Sequence, residues 1–151
     1  MKIAVSTDWK TKRLPAKQTT VLLDRSFNSE EMGKIKKGLI PQQMEDKWFI
    51  YYDSGKLFFH RSWTGFCLYV VSFVEDGQNG SMTKADINRN PIQYTETNDE
   101  KDIKMISFLI DILLLHHPAK FPTDEASSDK RLLMEWSFVG RAMLGKHPEN
   151  T

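Results

Sequence analysis

Apart from one short early helix, the hydrophobic and polar positions run at strand period up to about residue 97 and at helical period after it. Before that point the apolar stretches are short, β-branched or aromatic, and punctuated by Gly, Asn and Asp, the pattern of strands joined by turns. Trp48-Phe49-Ile50-Tyr51-Tyr52 and Leu57-Phe58-Phe59-His60-Arg61 flank Asp53-Ser54-Gly55-Lys56 and predict a hairpin. Phe66 to Val74 is apolar on both alternating faces, which predicts a central strand covered on two sides. Met82 to Asn88 predicts a strand pairing back on it, Thr19 to Leu23 an earlier strand, and Ile3 to Val5 a short one at the start.

Helical periodicity then takes over. Ile103, Ile106, Ile110, Leu113 and Leu114 share one helical face, and Thr97-Asn98-Asp99-Glu100 reads as a capping box that opens a helix running to Leu115. A last helix is predicted from Ser128, with Leu132, Trp136, Val139 and Met143 as its apolar stripe and Gly145 as its stop, followed by a frayed end at 146–151. One helix interrupts the strands. Asn28 caps it, Glu30 and Glu31 lie in its first turn and Lys34, Lys36 and Lys37 in its last, and Gly38 and Pro41 end it, giving 29–37. The expectation is one α+β domain over 1–151: an antiparallel meander sheet of about four to six strands with about three helices, two of them C-terminal and packed on one face.

Composition narrows the function classes. Apolar residues are 40% and charged residues 27% of the 151, so disorder and fibrous repeats do not fit. A net charge of +1 argues against bulk nucleic-acid coating. The single cysteine, Cys67, precludes an internal disulfide and a Cys-rich zinc site, and a cytoplasmic location is expected. Phe108 to Leu115 is interrupted by Asp111 and far shorter than the ~20 residues of a membrane span, and the N-terminus lacks a signal-like apolar run, so no membrane association is expected. His116 and His117 point about 100° apart on a helix, so they are not a metal pair. They suit the helix's C-terminal dipole. Neither a metal nor a cofactor is expected.

The densest polar and aromatic segment is His60-Arg61-Ser62-Trp63-Thr64-Gly65. Strand alternation places Phe59, Arg61 and Trp63 on one face and Phe58, His60 and Ser62 on the other. Arg61 beside Trp63 has the chemistry of a clamp for a planar anion, the guanidinium forking onto phosphate or carboxylate while the indole stacks on a ring. The competing reading pairs Arg61 with a helix carboxylate, Asp102 or Asp111. Arg89 and Asn88 close the last strand before the turn at Asn90-Pro91, and Arg25 ends an early strand; with Arg61 these arginines would make an anion pocket. Trp48 is a second stacking candidate. His60 and Ser62 lie nearly 7 Å apart by strand rise, too far for a nucleophile and its base, so a carbonyl-bonded His60 is the stronger expectation.

Met44 to Tyr52 followed by Leu57 to Cys67, and above all the His-Arg-Ser-Trp-Thr-Gly run, resembles a family of small bacterial domains with no established activity, over residues 29–122. The resemblance implies no catalytic residue; it also implies a neighbourhood of enzymes acting on ADP-ribose. The function expected is therefore binding of an anionic planar small molecule such as a nucleotide or ADP-ribose-like derivative, by Arg61, Trp63, Arg89, Trp48, His60, Asn88 and Arg25. The alternatives are a protein-protein interaction module, with a partner protein or a second copy, and a small hydrolase using His60 with Asp46 or Asp86.

Overall fold

The computed structural model describes residues 3–122 and Phe138. Five antiparallel strands form one sheet: β1 (Gln18–Phe27), β2 (Trp48–Asp53), β3 (Lys56–Arg61), β4 (Cys67–Asp76) and β5 (Asn79–Asn88), in the order β1-β5-β4-β3-β2. The β2–β5 run is the expected meander, with β4 in the middle. β1 is longer than its compact apolar stretch suggested. It joins at the far edge beside β5, and its register slips between Leu22 and Arg25. Two α-helices, α1 (Ser29–Lys37) and α2 (Asp99–Leu109), are described, one before the meander and one after it; the helix expected from Ser128 lies outside the described residues apart from Phe138.

Both helices lie on one face of the sheet. Met32 and Ile35 of α1 and Ile106 and Leu109 of α2 pack with Trp48, Ile50, Leu57, Phe59, Tyr69, Val71, Ala85 and Ile87, all buried. Each of the larger aliphatic or phenyl side chains among them contributes about 1.5–3 kcal/mol relative to an exposed one. The other face carries a smaller cluster of Ala4, Phe49 and Tyr51, with Ile40 and Phe58 against it. Between β3 and β4 the register slips so that Phe59 faces Tyr69 but His60 faces Cys67, leaving Leu68 as an extra residue that turns into the main core.

The caps differ in detail from the pattern. At α1 Asn28 caps as expected, Glu31 N–H donating to Asn28 Oδ1 at 2.9 Å, and Glu31 returns the bond, its Oε1 accepting from Asn28 N–H at 2.9 Å. At α2 the cap is Asn98 rather than Thr97, its Oδ1 accepting from the N–H groups of Glu100 and Lys101. The helix does not continue regularly to Leu115. Ile110–Leu114 is a π-helical turn, closed by Leu115 N–H on Ile110 O at 2.9 Å. Ile3 to Val5 is not a strand: Ala4 N–H caps the end of α1 on Lys37 O, and a 3₁₀ turn (Ser6–Asp8) follows. A carbonyl at a helix terminus takes the bond that a strand partner would have supplied.

Leaving α1, the chain must turn sharply and close the outer edge of β2, where Leu39 exchanges both backbone hydrogen bonds with Ile50. Gly38 makes this approach possible, with φ +67° and an added Cβ falling 2.2 Å from Ile50 O. Gly38→Ala is therefore expected to lower stability by about 2 kcal/mol or more, read as a reduced urea midpoint at unchanged slope. Gly33→Ala, on the open side of the same helix, should leave the midpoint unchanged or raise it.

Candidate functional site

Each of the three arginines has its own partner. Arg25 forks onto Asp111, Nη2 to Oδ1 at 2.6 Å and Nη1 to Oδ2 at 3.3 Å, with its guanidinium 4.7 Å from the Phe27 ring centre. Arg89 donates through Nη1 to the carbonyls of Asn88 and Glu96, and through Nη2 to Asp99 at 2.7 Å and to Asp102. Arg61 lies over Trp48 at 4.7 Å and the Phe138 ring at 5.0 Å and donates to Phe138 O at 2.8 Å. The structure thus does not gather them on a shared acceptor. The two carboxylates considered for Arg61, Asp102 and Asp111, serve Arg89 and Arg25 instead. Among the described residues Arg61 has no carboxylate at salt-bridge distance. Burial pulls its pKa down to about 10, against the pull of Tyr69 and Tyr94, so it stays a cation at neutral pH.

Arg61 and Trp63 also part company. β3 ends at Arg61, where Gly65 N–H donates to Arg61 O and Arg61 N–H to Phe66 O, both at 2.8 Å, so Ser62 to Thr64 form a turn and the strand alternation that paired the two side chains stops. Trp63 is 55% exposed, its indole N–H bonded to Met44 O at 2.8 Å and the Lys47 ammonium 3.9 Å from its ring. Trp48 is fully buried, stacked on Tyr69 and donating to the same Phe138 carbonyl at 2.9 Å. Asn88 is buried too, its amide donating to Cys67 O and Gln93 Oε1 and its oxygen accepting from Asn90 N–H. Asn90 in turn accepts from Ile92 N–H, so this segment is the turn that its Asn-Pro sequence suggests.

His60 is buried with Nδ1 2.9 Å from Gly65 O, the carbonyl-bonded state expected. Its ring stacks on Tyr51 at 5.7 Å, and Nε2 has no partner among the described residues. The Nδ1 contact to a carbonyl assigns the proton there and leaves the Nε2 lone pair without a hydrogen bond. Neither Asp46 nor Asp86 hydrogen-bonds to it: Asp46 accepts from Gln42 and Gln43 N–H, and Asp86 from Thr20 Oγ1. The Ser62 hydroxyl donates to Asp46 O at 2.6 Å. These contacts supply no acid–base pair. Among the described residues no group of three or more His, Cys, Asp or Glu is placed to hold a metal ion, and no helix is long and apolar enough to cross a membrane.

A concave site lies elsewhere among the described residues, where the C-terminal end of α1 meets the π-helical turn. A cleft of about 570 Å³ opens there, with Leu39, Ile40, Leu113 and Leu114 as its aliphatic floor. Lys34, Lys37, Gln42 and His116 line it together with Asp8. This volume falls within the range of small-molecule sites. Among the described residues, neither lysine has a carboxylate at salt-bridge distance, whereas neighbouring Lys36 is held by Glu75 at 2.7 Å. His116 adopts φ +59°, a conformation costly for a non-glycine residue and common at ligand sites, as are π-turns. Sequence reasoning placed the lysines in the last turn of α1 and read His116 as a dipole partner of the later helix. Nothing local in either segment announces that they meet.

No protein-family model, curated protein or solved structure matches the chain.

Two consequences can be measured. Burial lowers the pKa of His60 below its ordinary 6.5, against the pull of Gly65 O, so the unfolded chain takes up this proton first. The corresponding stability is complete above pH 6.5 and is lost as the pH falls below it. The loss in urea midpoint between pH 7.5 and 5.5 is thus expected to shrink in His60→Gln. Asp102 is fully buried, so Asp102→Ala, which removes the acceptor that Arg89 and the Tyr94 hydroxyl share, is expected to cost about 3 kcal/mol or more in chemical denaturation. Asp102→Asn, retaining one acceptor, should cost less.

Proposed function

We propose that the protein is a small-ligand binding domain for an anionic ligand, held in the cleft between the end of α1 and the π-helical turn. The observation that carries this reading is the pairing of an aliphatic floor with two lysines that have no carboxylate partner among the described residues. The lysines attract a phosphate or carboxylate, Gln42 offers a neutral donor, and the leucines and Ile40 take an apolar body out of water. The floor is aliphatic rather than aromatic, so it favours compact or aliphatic bodies over a ring sandwiched by stacking. The clamp chemistry of Arg61 and Trp48 is directed at the Phe138 carbonyl and ring.

Thermal denaturation against a panel tests this. The panel is inorganic phosphate, carboxylates of two to ten carbons, nucleoside mono- and diphosphates, and ADP-ribose. A true ligand at about 100 times its Kd should stabilise the fold by about 2.7 kcal/mol, or about 5–10 °C in Tm for a chain of this size. The Lys34→Ala/Lys37→Ala variant should keep the unliganded Tm within about 1 °C and lose the shift. Absence of any shift across the panel, or a shift that survives the double substitution, refutes the assignment.

A further inference from the structure

A second surface, independent of the cleft, joins aromatic rings to cations. The turn after β3 is gripped from two sides: Trp9 donates its indole N–H to Ser62 O at 2.7 Å, and Trp63, the next residue, donates its own to Met44 O at 2.8 Å. Both indoles are fixed and exposed, at 36% and 55%, and both have already spent their only hydrogen-bond donor within the protein. What they offer a partner is ring surface. The Lys47 ammonium sits 3.9 Å from the Trp63 ring centre, and the Lys12 ammonium 4.9 Å from that of half-buried Phe66. The segment from Trp9 to Lys17 carries four cations, Lys10, Lys12, Arg13 and Lys17, and no carboxylate.

We propose that this Trp9–Trp63 corner binds single-stranded nucleic acid. Every base has a π face, so rings whose polar edge is already satisfied stack on bases without reading sequence. Lysines beside those rings exchange a cation–π contact for a phosphate contact when a strand arrives. A whole-chain charge of +1 does not oppose this, because the attraction needed spans only a few nucleotides and is supplied locally by Lys47 at the Trp63 ring and Lys12 at the Phe66 ring. An anionic membrane would also meet lysine and tryptophan. At such a surface, however, indole N–H groups ordinarily reach the wet headgroup layer, and here both are turned inward.

The test is fluorescence anisotropy of labelled (dT)20 and (rU)20 with the full chain at 50 and 200 mM salt, beside sedimentation with phosphatidylserine vesicles. Salt-sensitive binding of both oligonucleotides is expected, with Trp63→Ala weakening it about tenfold and Trp63→Phe much less. Lys12→Gln and Lys47→Gln should each lower the log-log salt slope by about 0.7. Trp63 is exposed and Phe keeps a ring, so a folding defect in Trp63→Ala, checked by Tm, would not mask the comparison. Failure to bind at 100 µM protein and 50 mM salt, binding indifferent to Trp63, or capture by vesicles but not by oligonucleotides overturns the proposal.

Discussion

Asp102 carries its carboxylate where no water reaches it, and the donors that compensate it come from outside its own helix. Arg89 reaches it from the turn after β5, and the Tyr94 hydroxyl from the loop between, at 2.5 Å. Tyr94 also shares a hydrogen bond with Tyr69 of β4 at 2.7 Å, and Tyr69 stacks on Trp48 of β2. A buried charge tolerates few arrangements, because losing one donor costs far more than shifting an apolar contact. The first turn of α2 is therefore pinned to the middle of the sheet, and the course of α2 into the π-helical turn is set from there.

With that end fixed, the far end of α2 adapts. The π-helical turn places Leu113 and Leu114 over the end of α1, while Asp111 in the same turn receives Arg25 from β1. On the other side Ala4 N–H ties the end of α1 to the N-terminal segment, and Leu39, just past Gly38, ties it to β2. The cleft is the space left between two elements that are each anchored elsewhere. Such a gap persists without ligand, because closing it would break backbone hydrogen bonds or the buried carboxylate network.

The elements governed by neighbours in sequence were legible. The aromatic hairpin around Gly55, the Asn28 cap of α1, and β4 as the two-sided strand all follow from patterns a few residues long. Less legible was everything that depends on where a pattern stops. Alternation past Arg61 put Trp63 on the wrong side because the turn closed by Gly65 is not encoded in hydrophobic period. Asp102 and Asp111 were considered as partners for Arg61 alone, whereas they serve Arg89 and Arg25, and sequence distance cannot decide which guanidinium reaches which acid. The cleft was invisible for the same reason: Lys34 and His116 become neighbours only after the sheet has brought the two helices together.

The strand order has a temporal side as well. β2 to β5 pair with their immediate successors, but β1, which precedes them in sequence, lies against β5, with Phe27 opposite Gly80. Closing that long loop costs entropy before any contact rewards it, so the meander assembles first and β1 adds to a finished edge. Until then Val21, Leu22 and Leu23 travel unpaired, a short sticky tract in a nascent chain. The irregularity at Leu23 and Asp24, with charges at Asp24 and Arg25 directly after it, gives that waiting strand a poor template for joining a stranger.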